Sequence, residues 1–262
     1  MLRSEFNRAR HLDKLGVYMN SAASRIHQAM QTVSKLQAGR ASAPRLSSAC
    51  TEVKRFQAQR FAATYADLLQ SPRYRRAAHF FLTELYGDQD YGQRDQQFSR
   101  IANTITRLFP DAVSDTAATL AEVHALTEQL DEQMARQWLA SKLPAGAPRY
   151  VACWRSVGDQ PARRAQLKSV LHLGDELDQL TQAPGLRRLL KMMRAPASLA
   201  GLSSLQRFLE SGFDAFADMK GASEFLASVE KRESVWIKAL FEEDTVACET
   251  KLQELLVDVR LH

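Results

Sequence analysis

A chain of 262 residues, 45% apolar and 25% charged with 8 prolines and 11 glycines, has the composition of a folded protein and excludes a disordered tail or a collagen-like fibre. Its net charge of +5 hides a polarity: residues 1 to 80 hold 14 Lys or Arg against 4 acids, which leaves 21 against 26 for residues 81 to 262. That polarity suits an anionic partner for the basic third or attraction between two parts of one chain, and the internal reading is preferred.

Leu, Ala, Gln, Glu and Arg dominate and runs of β-branched residues are scarce, which points to an all-α fold without a sheet. Cys50, Cys153 and Cys248 are widely spaced and odd in number, so free thiols in a reducing, cytoplasmic setting are expected. No stretch approaches the roughly 18 apolar residues of a membrane span, and no membrane partner is expected. The Arg- and Ser-rich start resembles a transit peptide only superficially, because Glu5 and Asp13 interrupt it.

In chain order, Phe6, Leu12, Leu15, Tyr18, Ala22, Ile26, Met30 and Val33 predict a first helix over 3–37. Gly39 and Pro44 mark a hinge near 38–48, with Ser47 or Ser48 capping a second helix to about Gln70. Ser71-Pro72 restarts a third helix that runs to Tyr86 and stops at Gly87. Another helix reaches Phe109, and Ser114 or Asp115 is the expected cap of a long one to Leu139. Short helices follow at 149–157, 163–180 and 185–193. Two strongly periodic ones then close the chain, the first carrying Leu205, Phe208, Phe213 and Phe216, the second Phe225, Val229, Trp236 and Leu240. The expectation is a compact array of eight to ten helices forming a single domain over 1–262.

Candidate chemistry is sparse. Apolar residues nearly encircle the helix around His79 and Glu84, so both are expected partly inside, with Glu84 answered by Arg60 or Arg76. His124 falls on the inner stripe of its helix, and Glu233 interrupts an apolar stripe where a basic residue of the first third could meet it. These six residues form a candidate buried polar pocket. Lys54, Arg55, Arg73 and Arg75 are candidate anion contacts, although no nucleic-acid motif accompanies them. No glutamate has a histidine three residues later, so the di-iron bundle pattern is absent. In the loop from Asp88, the glycine and the twelfth position, Ser99, both miss the calcium pattern. No metal set is expected, and no cofactor is indicated.

The stretch Phe80-Phe81-Leu82-Thr83-Glu84-Leu85-Tyr86-Gly87, followed by Asp90 and Gln93-Arg94-Asp95, resembles a group of uncharacterised proteobacterial proteins with an FFLxxLYG motif. The run from Arg188 to Leu226 is similar to the same group. The resemblance implies an all-helical bacterial protein and supplies no activity, cofactor or catalytic residue. The expected function is a non-enzymatic interaction or regulatory protein with a protein partner. The alternatives are a cofactor- or metal-binding protein with a buried His/Glu pocket, and nucleic-acid or anion binding through the basic third.

Overall fold

The computed structural model describes residues 21–85 and 91–258, and every regular element among them is a helix. Helix α1 (Ala22–Ala41) starts behind Ser21, whose hydroxyl accepts the Ser24 N–H at 3.3 Å. It buries Ile26, Met30 and Val33, spaced to share one face. The expected helical residues 3–20 lie outside the described residues. Only Ser42 and Ala43 separate α1 from α2 (Pro44–Thr64), so the 38–48 stretch is helical apart from those two. Pro44 sits where a missing N–H costs nothing, in a first turn, and therefore starts the helix three or four residues before the expected serine caps.

Tyr65 interrupts the expected continuous helix and leaves α3 (Ala66–Gln70) as a separate turn. Helix α4 (Arg75–Phe80) passes directly into a π-helical turn, Phe81–Leu85. Helix α5 (Gly92–Leu108) ends before Pro110, and α6 (Asp111–Ala140) begins at once after it. The long helix thus starts earlier than expected: Ser114 is buried within it, its hydroxyl donating to the Ile105 and Pro110 carbonyls, rather than capping it. Helix α7 (Ala147–Val157) closes on left-handed Gly158, and α8 (Gln160–Gln182) is capped by the Asp159 carboxylate on the Ala162 N–H at 3.0 Å.

Two short helices, α9 (Leu186–Met192) and α10 (Arg194–Leu199), precede α11 (Ser203–Met219) and α12 (Ser223–Glu242). The chain does not close there. Helix α13 (Thr245–Asp258) follows, capped by Asp244 on the Ala247 N–H at 3.0 Å and anchored by fully buried Cys248 and Leu252. The break at Tyr65, the separation of α10 from α11, and α13 together raise the number of helices above the expected eight to ten.

Helix α6 packs against α1, α2, α7 and α8, while α8 also packs on α11 and α12. Two apolar clusters result. The first gathers Phe61, Phe80, Phe81, Phe98, Phe208, Phe216 and Phe225 with α1; the second gathers Phe56, Trp138, Tyr150, Trp154 and Trp236 with α13. Leu167 on α8 packs against both. Gly212 is required at the α4–α11 contact, since a Cβ there would stand 2.9 Å from the Phe80 ring. No helix among the described residues is long and apolar enough to cross a membrane.

Candidate functional site

The cations of the first third meet acids of the remainder. Arg25 pairs with Glu122 at 2.7 Å, Arg40 and Lys54 share Glu128, Arg73 pairs with Glu224 at 2.8 Å, and Arg76 bridges Asp218 and Asp214. Arg60 joins Glu233 through two hydrogen bonds of 3.1 and 2.8 Å, and the Tyr65 hydroxyl donates to the same carboxylate at 3.0 Å. Burial alone would lower the Arg60 pKa, but Glu233 together with Tyr150 and Tyr65 outweighs it and the guanidinium is held firmly charged. Of the candidate anion contacts, Lys54 and Arg73 are therefore engaged by carboxylates, while Arg55 and Arg75 are exposed on α2 and α4.

Of the six candidate pocket residues, only Arg60 and Glu233 meet each other. His79 is exposed rather than partly inside, because the buried side of α4 is formed by Ala77, Ala78 and Phe80. Glu84 lies 3.8 Å from Arg94, not against Arg60 or Arg76, which are engaged elsewhere. His124 Nε2 is 3.0 Å from Asp95 Oδ2, to which the Gln37 amide also donates at 3.0 Å. Burial opposes ionisation of Asp95, yet His124, Arg94 and Gln37 together hold its carboxyl below the usual range.

Asp95 belongs to a short segment that ties several helices together. Gln93 accepts from the Ser204 hydroxyl at 3.2 Å, and Gln97 accepts from the Leu205 N–H at 2.9 Å at the start of α11. Arg94 donates to the Glu84 carbonyl at 3.0 Å and lies over the Tyr91 and Phe208 rings at 4.2 and 4.7 Å. These contacts brace the π turn against α5 and α11.

A polar seam lies deeper, where Gln57, Arg60, Asp131, Tyr150, Trp154, Arg163 and Glu233 surround a chamber of about 40 Å³. Asp131 Oδ1, the Tyr150 hydroxyl and Trp154 Nε1 are buried there without a hydrogen-bond partner among the described residues. Burial pushes the Asp131 carboxyl upward. The chamber has room for a water molecule and no substrate. A wider groove between α1 and α5 is open and lined by uncharged polar groups such as Gln31, Ser34 and Asn103 with scattered cations. Among the described residues no three or more His, Cys, Asp or Glu side chains stand close enough to hold a metal ion.

The feature that stands apart is an apolar cavity of about 370 Å³ lined by α4, the π turn, α5, α6, α8 and α11. Its walls include Phe80, Phe98, Leu120, Leu173, Leu209 and Phe213. The π turn lets consecutive Phe80 and Phe81 both turn inward, Phe80 against Phe208 at 5.4 Å and Phe81 against Phe216 at 6.2 Å. Leu186, Leu190, Met193, Pro196 and Ala197, from α9 and α10, cover it.

That cover is bounded by two left-handed glycines, Gly185 at φ +80° and Gly201 at φ +70°. Ala197 is its one buried residue among α9 and α10. Polar lining is confined to Thr104, Thr116 and Gln206. Thr116 donates to the Ala112 carbonyl at 2.8 Å, and Gln206 donates to the Leu190 carbonyl and to Glu210, at 2.6 and 2.8 Å. The wall presents no ionisable group, so its chemistry is that of apolar binding.

A model of a domain of unknown function, DUF8198, matches residues 36–247. The chain belongs to this family. The DUF8198 match takes in the Phe80–Gly87 and Arg188–Leu226 stretches, all the residues lining the cavity, and every candidate site residue of the sequence. No curated protein and no solved structure matches the chain.

No sequence pattern marks the cavity, because its walls come from helices far apart in the chain. Its cover carries a local signal: residues 179–209 contain Arg187, Arg188, Lys191, Arg194 and Arg207 and no acid, interleaved with Leu and Met at 186, 189, 190, 192 and 193.

Proposed function

We propose that this is a non-enzymatic interaction or regulatory protein whose partner is an apolar small molecule, held in the cavity beneath α9 and α10. The observation that carries the reading is a carbon-lined volume of about 370 Å³ under a cover set between Gly185 and Gly201. It falls within the range of ligand sites, roughly 300–1,000 Å³, and is more than twice the ~150 Å³ that admits benzene in an engineered protein core. Water entering such a chamber gains few hydrogen bonds, whereas an apolar ligand buries its own surface there.

The lack of ionisable groups in the wall supports binding without catalysis, and the carboxylates facing Lys54, Arg60 and Arg73 support an internal role for the basic third. Three buried free cysteines support a cytoplasmic location. The test is titration of the purified protein with parinaric acid, a fluorescent eighteen-carbon chain. Saturable one-to-one binding is expected, weakened roughly tenfold or more by Ala117→Phe, which fills the cavity from the α6 wall. Absence of saturable uptake, or uptake indifferent to that substitution in a folded variant, overturns the reading.

A further inference from the structure

Helices α9 and α10 have an outward face as distinct as the inward one. At 100° per residue, Leu186, Leu190 and Met193 share the side that covers the cavity, which puts Arg188 and Met192 on the opposite side. Met192 is 67% exposed, Leu199 91% and Leu189 37%, three large apolar side chains within eleven residues. Cations outnumber acids around these residues. Arg187 is neutralised by Asp214 at 2.7 Å and Arg194 by Glu210 at 2.6 Å, whereas Arg188 and Lys191 form no salt bridge among the described residues. Arg207 adds a further exposed cation within the acid-free stretch 179–209.

Exposed Leu and Met projecting between uncompensated cations are what a protein presents to a lipid interface, where the apolar tips enter the acyl boundary and the cations meet anionic headgroups. We propose that the outward face of α9 and α10 docks on an anionic lipid surface. This goes beyond cavity binding and does not depend on it. It also places the cover of the cavity against a source of apolar chains. Contact is at the surface, since no described helix is long and apolar enough to cross a bilayer.

The test is co-sedimentation of the full chain with vesicles of phosphatidylglycerol and phosphatidylcholine in equal parts, against vesicles of phosphatidylcholine alone. Binding to the mixed vesicles, falling with added salt, is the expected result. Arg188→Gln with Lys191→Gln should weaken it roughly ten- to thirtyfold, and Met192→Ser with Leu199→Ser should weaken it with charge unchanged. The remote pair Lys142→Gln with Lys231→Gln should leave it within about twofold.

No binding to the anionic vesicles overturns the proposal. So does binding that survives Met192→Ser with Leu199→Ser, or that falls equally with the remote pair, since either result means bulk charge alone. Ala117→Phe separates the two readings, because it blocks the cavity and leaves the outer face untouched. Vesicle binding by a protein that takes up no parinaric acid keeps the docking surface and sinks the cavity reading; uptake without vesicle binding does the reverse.

Discussion

Arg60 on α2 and Glu233 on α12 are joined by two parallel hydrogen bonds across 173 residues of chain, with side-chain exposures of only 6% and 12%. A buried pair of this kind stabilises little over an apolar replacement, but its halves cannot be removed singly. Glu233→Ala should therefore cost about 3–5 kcal/mol in chemical denaturation, leaving Arg60 and the Tyr65 hydroxyl unanswered. Arg60→Met combined with Glu233→Leu should recover most of that loss. Equal losses in the single and double variants would show that the pair contributes through packing instead.

Acid should unfold the protein through the carboxylates of α5 and α6. Against the penalty of burial, Asp95 is held below its ordinary value of 3.8 by His124, Arg94 and Gln37. Glu128 is likewise held below 4.5 by Lys54, His124 and Arg40. A carboxyl whose folded pKa lies below its unfolded value contributes stability that is present above the unfolded value and lost as pH falls through the folded one. The melting temperature should thus change little on this account down to about pH 5 and fall steeply below about pH 4. His124→Gln should make that acid limb shallower, which thermal melts across the series will show.

Asp131 runs the other way. Burial raises its pKa above the ordinary 3.8, so its ionised form is disfavoured in the folded state and stability falls as pH rises through that range. Asp131→Asn should stabilise the protein at pH 7 relative to the parent, and the advantage should shrink as the parent carboxyl protonates in acid. A variant that is less stable at pH 7 would mean that the Lys54 charge is compensated by Asp131 more than burial opposes it.

Much of the helical layout was legible because its signals are local. Leu205, Phe208, Phe213 and Phe216 repeat at the helical period and lie buried on one side of α11. The errors came where local chemistry permits two outcomes: Pro44 can end a helix or begin one, and Ser114 can cap or be absorbed. Helix α13 lies beyond the two helices expected to close the chain, although Asp244 caps it and Cys248 and Leu252 share a face. Glu233 stood out as an acid on an apolar stripe, but its partner could not be read, since nothing local distinguishes Arg60 from Arg55. His79 is exposed because Ala77, Ala78 and Phe80 supply the buried side of α4, a choice among apolar neighbours that the sequence leaves open. The cavity was hidden for the same reason as the Arg60 pairing: its walls are adjacent only in space.

The close approach of α4 and α11 supplies a packing test. With a Cβ at position 212 only 2.9 Å from the Phe80 ring, Gly212→Ala should cost about 1–3 kcal/mol through overpacking, despite alanine's better helix propensity. Adding Phe80→Leu should relieve the clash, so the double variant should lose less than the two single losses combined. Calorimetric melts of all four proteins check this, and strict additivity would place the strain elsewhere.

The cover of the cavity should be the first part of the molecule that trypsin cuts. Arg187, Arg188, Lys191 and Arg194 lie within two short helices that bury Ala197 alone, so local opening there disrupts few contacts. Early cleavage between residues 187 and 195 is expected, read by mass spectrometry of the first fragments. A ligand seated beneath Leu186, Leu190 and Met193 bears directly on the inner side of this segment. At a concentration 100 times its Kd it stabilises the closed, bound form by about 2.7 kcal/mol. Where opening and closing are fast relative to cleavage, the rate follows the population of the open form. Parinaric acid should then slow the first cut by roughly a hundredfold. Ala117→Phe should abolish that protection while leaving the sites themselves in place. First cuts outside 187–195, or cuts in that segment that ignore the ligand, would separate the cover from the cavity.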